Sequence, residues 1–214
     1  MVVSSPQSEI DGRGRAETAA PALLRYTAPG RPTANIVADI LRVLFPDART
    51  AIDLTPGRGC FWSETVPIRV SVEMSEGDFT MLPYADASYD VAVFDPPHLA
   101  DAGEDSIMGR RYGTYRDDEL EGVVRQGTRE AWRVVRLGAV VKVTDAIHCS
   151  RYTRMSGWVY DELGEPYDVV HQVRSRSLVD PKWGPQLSAY NNGATYLIFR
   201  KDGPLHRRRC EIVA

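Results

Sequence analysis

The stretch VAVFDPPH at residues 91–98 constrains the fold more than any other. An uninterrupted apolar run of this length reads as a strand buried on both faces, the kind found inside a parallel sheet covered by helices. Asp95 and two prolines then end it. Proline fixes φ and has no N–H for a sheet ladder, so the chain must leave the sheet here, and in a restricted conformation. A carboxylate is thereby left at the carboxyl edge of a buried strand, followed by the flat ring of His98.

The rest of the chain alternates between helical and strand periodicity, which points to a layered α/β fold. TANIVADILRVLF places Ile36, Val37, Ile40, Leu41 and Leu44 on one helical face, with Thr33 as the expected cap and Pro46 as the stop. Strands are predicted at TAIDL, IRVSVEM, FTMLP, YDVAVFD, GAVVKVTD, YDVVHQVRS and ATYLIFRK, the last two as a possible antiparallel pair. DDELEGVVRQGTREAWRVV reads as a helix with Thr114 and Asp117 at capping-box spacing, and GWVYDELG as a short helix closed by Gly164. The expected architecture is a mostly parallel, seven-stranded central sheet flanked by helices. Residues 1–22 read as a disordered lead-in, 23–203 as one domain and 204–214 as a basic tail containing His206 to Arg209.

Composition narrows the class. With 214 residues, 43% hydrophobic and 26% charged, the chain can bury one sizeable core. No run of about 18 apolar residues suggests a membrane span, and no secretory signal is visible. Cys60, Cys149 and Cys210 form no CxxC pair, so they read as free thiols of a cytoplasmic protein without a metal site. The formal charge of −3 argues neither for nor against a nucleic-acid partner.

AIDLTPGRGCFW puts Asp53 at a strand end, with Gly57 and Gly59 in the turn that follows. In doubly wound sheets ligands bind outside the carboxyl ends of the strands, where glycine lets the backbone approach closely. Glu73 follows Asp53 by 20 residues, the usual spacing for an acid that grips ribose hydroxyls. Asp78 comes next in EGDF. The third glycine of a phosphate-cradling turn is missing, so phosphate cradling is not implied. A plain tight turn explains the glycines about equally well when they are taken alone.

An aromatic exocyclic amine is a poor nucleophile because its lone pair is drawn into the ring. Asp95 can accept a hydrogen bond from one of its N–H groups and the Pro96 carbonyl from the other, pulling the nitrogen toward a tetrahedral shape. Pro96 and Pro97 hold the turn, and His98 can stack on the base. Here the residues meet a known pattern. The order YTAPGRPT, DLTPGRGCFW, VEM, GDF, DPPH resembles the S-adenosylmethionine-dependent amino-methyltransferases that carry an Asp-Pro-Pro-aromatic motif and modify adenine N6 or cytosine N4 in DNA. Relatives with similar motifs act on RNA bases.

The resemblance implies a Rossmann-like methyltransferase fold, S-adenosylmethionine as cofactor and a nucleic-acid substrate. It implies a catalytic group of Asp95, Pro96, Pro97 and His98. Cofactor contacts would come from Tyr26, Thr27, Asp53, Thr55, Pro56, Gly57, Gly59, Glu73, Asp78, Phe79 and Asp95. The chain departs from the pattern in three ways. His98 replaces the usual Tyr, Phe or Trp, the segments around strand two are short, and no separate recognition domain fits in the length. Specificity would then come from loops or from an unidentified partner. Arg110, Arg111, Tyr112 and Tyr115 form a basic-aromatic loop suited to a phosphate and an unstacked base, although Asp101, Glu104 and Asp105 offset its charge. Trp183, with Lys182 and Tyr190, reads first as an anchor for a long loop, and Lys142 as a strand lysine with its head in solvent.

Overall fold

The structure is a computed structural model that describes residues 23–57, 59–62, 70–75, 77–98, 115–148, 151–175 and 193–202. Its elements run α1 (Thr33–Leu44), β1 (Thr50–Asp53), β2 (Ser71–Met74), β3 (Tyr89–Phe94), α2 (Asp117–Arg133), β4 (Val135–Val143), β5 (Ala146–His148), β6 (Arg151–Thr153), α3 (Met155–Leu163), β7 (Asp168–Val173) and β8 (Gly193–Arg200). Six strands form one sheet in the order β2-β1-β3-β4-β8-β7, and β5 and β6 form a separate antiparallel hairpin. β1 pairs in parallel with β2 and β3, and β3 with β4, whereas β8 is antiparallel to both β4 and β7. The fold is Rossmann-like.

The alternation of side chains along the strands sorts them into two cores. One face, with Val91, Val93, Val140, Tyr196 and Ile198, is covered by Ile36, Val37, Ile40 and Leu41 of α1. The opposite face, with Ile52, Ala92, Phe94, Ala139 and Val141, is covered by Leu120, Val124 and Ala131 of α2 and Met155 and Val159 of α3. Strand order reverses between β1 and β3, because the chain goes outward to β2 and returns on the other side of β1. The crevice at that reversal, at the carboxyl ends of the strands, is where ligands bind in such sheets.

Several sequence expectations need correction. Among the described residues the main sheet has six strands where seven were expected, and FTMLP forms turns instead of a strand. The Leu82 N–H is taken by the Glu130 carboxylate of α2 at 2.9 Å and so is not available to a sheet ladder. The β5–β6 hairpin was not expected. Helix α1 begins after Pro32, so Thr33 is its first residue and not its cap. Helix α2 is preceded by Arg116, whose backbone N–H donates to the Glu119 carboxylate at 3.2 Å, so Asp117 lies inside the helix. The lead-in, the tail, Thr114, Cys149, Lys182, Trp183 and Tyr190 lie outside the described residues.

Candidate active site

The site grows from two turns that meet at the reversal point. After β1, Leu54 stays attached to β3 through its N–H to the Val93 carbonyl at 3.0 Å. Thr55 then bridges the two turns. Its N–H donates to Asp53 Oδ1 at 3.0 Å, and its hydroxyl accepts the Asp95 N–H at 3.0 Å. The glycine turn and the Asp-Pro-Pro turn are therefore fixed relative to one another by one threonine. Gly57 takes φ +50°, a conformation open to glycine and costly for most side chains.

A cleft of about 230 Å³ lies between these turns and the segment after β2. It is bordered by Leu54, Thr55, Pro56, Gly57, Ser75, Gly77, Phe79, Asp95, Pro97 and Tyr115. Of the residues expected from the sequence, Thr55, Pro56, Gly57, Phe79, Asp95, Pro97 and Tyr115 are thus brought together. Ser75 was not foreseen. It is 5% exposed, and its hydroxyl has no hydrogen-bond partner among the described residues. A buried polar group without a partner is unusual enough to suggest that a ligand completes it.

Other expected residues sit elsewhere. Glu73 pairs in register with Ile52, is exposed, and does not border the cleft. Asp78 is exposed too; hydrogen bonds from the hydroxyl and N–H of Thr80 hold its carboxyl below the ordinary carboxylate value. Tyr26 and Thr27 lie along β7, at the far edge of the sheet. Tyr26 stacks on His171 with centroids 4.9 Å apart, and the Thr27 hydroxyl accepts the Val173 N–H at 3.1 Å. Gly59 lies in the same turn as Gly57 but off the cleft's border. Arg110, Arg111 and Tyr112 fall outside the described residues.

The carboxyl edge carries a row of polar side chains on the α1 face: Asp53, Asp95, Lys142 and Tyr196. Asp53 is fully buried and accepts the Trp62 indole N–H at 2.7 Å. Burial pushes its carboxyl up from 3.8 to about 6, against the hydrogen bonds from Trp62 and Thr55 and with help from the charge of Asp95. A raised folded-state value means that this group's contribution to stability is complete below pH 3.8 and is lost as pH rises through about 6. Relative to Asp53→Asn, the wild type should therefore lose about 1 kcal/mol between pH 5 and pH 8. Urea melts of both proteins at the two pH values measure this, and parallel shifts would refute it.

Lys142 does not point its head into solvent. Its ammonium donates to Asp95 Oδ2 at 2.8 Å, and its side chain is only 12% exposed. The ammonium also sits 5.3 Å from the centroid of the Phe61 ring. The pairing follows from register. Phe94 lies beside Val141, so the next residues along the two strands, Asp95 and Lys142, are lateral neighbours.

The remaining corner residue, His98, turns back on its own loop. Its Nδ1 is 3.3 Å from the Pro96 carbonyl oxygen and, in the tautomer protonated there, donates to it. Burial pulls the imidazole below its ordinary value, opposed by the charge of Asp95. The ring is thus favoured in its neutral form.

A larger concavity, about 860 Å³, lies between the start of α2, β6 and α3. Arg125 at its wall is already paired with Glu121, Asp161 and Glu162. This concavity borders neither the glycine turn nor Asp95. No described helix is long and apolar enough to cross a membrane. Among the described residues no group of three His, Cys, Asp or Glu side chains could hold a metal ion.

No protein-family model and no curated protein matches the chain. Among solved structures, it is similar to an S-adenosylmethionine-dependent methyltransferase of Thermotoga maritima described as a possible histamine N-methyltransferase. That match has 17% identity and a TM-score of 0.37, covering 76% of this chain and 86% of that one. A S-adenosylmethionine-dependent methyltransferase from Aquifex aeolicus matches at 11% identity and TM-score 0.36, covering 76% and 90%. The methyltransferase domain of bacterial CtHen1 matches at 14% and 0.39, covering 79% and 98%.

Proposed function

We propose that this chain is an S-adenosylmethionine-dependent methyltransferase that acts on an exocyclic amino group of a nucleobase, in DNA at adenine N6 or cytosine N4. One observation carries the reading. Asp95 and Pro97 border the same cleft as the glycine turn, so a carboxylate able to grip an amine lies beside the turn that we read as the adenosine site. The residues present suit that group. Gly57 lets the backbone come close, Phe79 offers an aromatic face, and the Ser75 hydroxyl is a buried polar atom awaiting a partner such as a ribose hydroxyl.

Bound there, the cofactor would supply an electrophilic methyl group on a sulfonium sulfur, whose loss to the amine nitrogen would leave a neutral thioether. The protein's part is to hold and deprotonate the amine. Asp95 commits Oδ2 to Lys142, and among the described residues nothing donates to Oδ1. Oδ1 accepts one amine N–H and takes the proton that the nitrogen sheds, passing it to water. The second N–H reaches the Pro96 carbonyl once His98 swings off it, and the freed imidazole then lies flat against the base. Its neutral form suits stacking against an uncharged ring. Positioning and preorganised acceptors supply the acceleration, and no covalent link to the protein is needed.

The test offers tritium-labelled donor with DNA, ribosomal RNA, transfer RNA and free nucleosides in separate reactions. Label retained in DNA is expected. Label confined to RNA or to nucleosides would overturn the DNA assignment, and donor binding without transfer to any base would overturn the reading as a whole.

A further inference from the structure

Resting on that reading, we infer that Lys142 and Asp95 together recognise the amine and the ring nitrogen bonded to the same carbon, so that the acceptor must carry an amidine-like edge. Lys142 is a substrate-binding residue in this account.

The inference starts from unused donor capacity. A lysine ammonium has three N–H donors, and burying them without acceptors is unfavourable. Among the described residues Lys142 has one hydrogen-bond acceptor, Asp95 Oδ2, while its side chain is only 12% exposed. The Phe61 ring covers a second direction without providing a strong acceptor. At least one N–H is therefore left beside the carboxylate that meets the substrate amine.

The two charges are 2.8 Å apart, and register fixes them side by side at the ends of neighbouring strands. They form a donor and an acceptor presented together. Adenine offers the complement at N6 and N1, and cytosine at N4 and N3, each a donor amine next to an acceptor nitrogen. A carbonyl next to a ring N–H, as in thymine, reverses both partners and meets like against like. An aniline-type amine without the ring nitrogen satisfies Asp95 but leaves Lys142 without an acceptor. Sites built around such a hydrogen bond reject analogues that lack it more sharply than apolar pockets reject a missing methylene.

The experiment compares single-stranded oligonucleotides, which need no base pairing. They carry 2′-deoxyadenosine or 1-deaza-2′-deoxyadenosine, and 2′-deoxycytidine or 3-deaza-2′-deoxycytidine, at one position. For the wild type, kcat/KM should fall by about 100-fold or more on removal of the ring nitrogen. Lys142→Met should be slower on the parent base and lose most of that discrimination, with its donor affinity kept within about threefold. Lys142→Arg should keep the discrimination. Equal rates of the wild type on parent and deaza bases would overturn the inference while leaving amine methylation intact. Undiminished discrimination in Lys142→Met would overturn it as well. If the wild type modifies no oligonucleotide at all, the proposed function has failed, a result distinct from either of these.

Discussion

Asp95→Ala is expected to lower kcat by at least about 1,000-fold while leaving the dissociation constant of S-adenosylhomocysteine within about fivefold. The asymmetry follows from what the carboxylate touches. It borders the cleft from the side of the Asp-Pro-Pro turn, while most of the lining comes from Leu54 to Gly57 and from Ser75 to Phe79. In the proposed reading donor contacts therefore survive its loss, and the group that orients and deprotonates the acceptor amine does not. A complication comes from Lys142, whose largely buried ammonium would lose its partner. Removing one member of a fully buried pair costs about 3–5 kcal/mol; this pair is part-buried, so Asp95→Ala would melt earlier by less than that. Asp95→Asn separates the two effects. It keeps an acceptor oxygen and the side chain's shape but cannot take the amine proton, so it should fold better than the alanine variant yet remain far below wild-type turnover. Single-turnover kinetics and calorimetric titration of each variant measure both quantities. Wild-type turnover in either would remove Asp95 from the chemistry.

The second large effect is structural. Gly138→Ala should destabilise the protein by more than about 3 kcal/mol, with Tm falling by roughly 6–12 °C. A Cβ at Gly138 would overlap the Phe199 carbonyl oxygen and lie 2.9 Å from the Phe45 ring and 3.1 Å from the Arg200 Cα. Two of these neighbours are backbone atoms of the paired strand β8, so they cannot turn aside as a side-chain end would. The same glycine sits where β4 gains one residue on β3: Tyr89 lies beside Val135, but Val91 lies beside Gly138. That extra residue places Lys142, rather than Val141, next to Asp95. Differential scanning calorimetry reads the stability, and retention of the wild-type Tm would show that the strands can part to admit the methyl group.

The parts of this arrangement that could be read from the sequence are those where local chemistry decides conformation. Asp95 and its prolines have to end a strand wherever that strand lies, and TAIDL running into TPG has to turn. The Asp-Pro-Pro corner and much of the cleft lining were legible for that reason. FTMLP failed because Phe79 and Met81 alternating around Thr80 look like a strand, whereas the Leu82 N–H is captured by Glu130, 48 positions away. The β5 and β6 strands are three residues each, too short for periodicity to register. Lys142 was misjudged for a subtler reason. Its neighbour depends on a single inserted residue in β4, and no pattern within VVKVTD reveals the offset between two strands. Ser75 carried no signal at all as a serine in a polar stretch. Its burial, its lack of a partner among the described residues and its place on the cleft appear only once β2 is laid beside β1.

The most direct test of the account is the chemical identity of the methylated product. Single-stranded and duplex DNA incubated with the protein and donor, then digested to nucleosides and resolved by mass spectrometry, should contain N6-methyladenine or N4-methylcytosine, both absent with Asp95→Ala. Methyl groups found on carbon, on a hydroxyl or on a ring nitrogen, or formed equally well by Asp95→Ala, would contradict it.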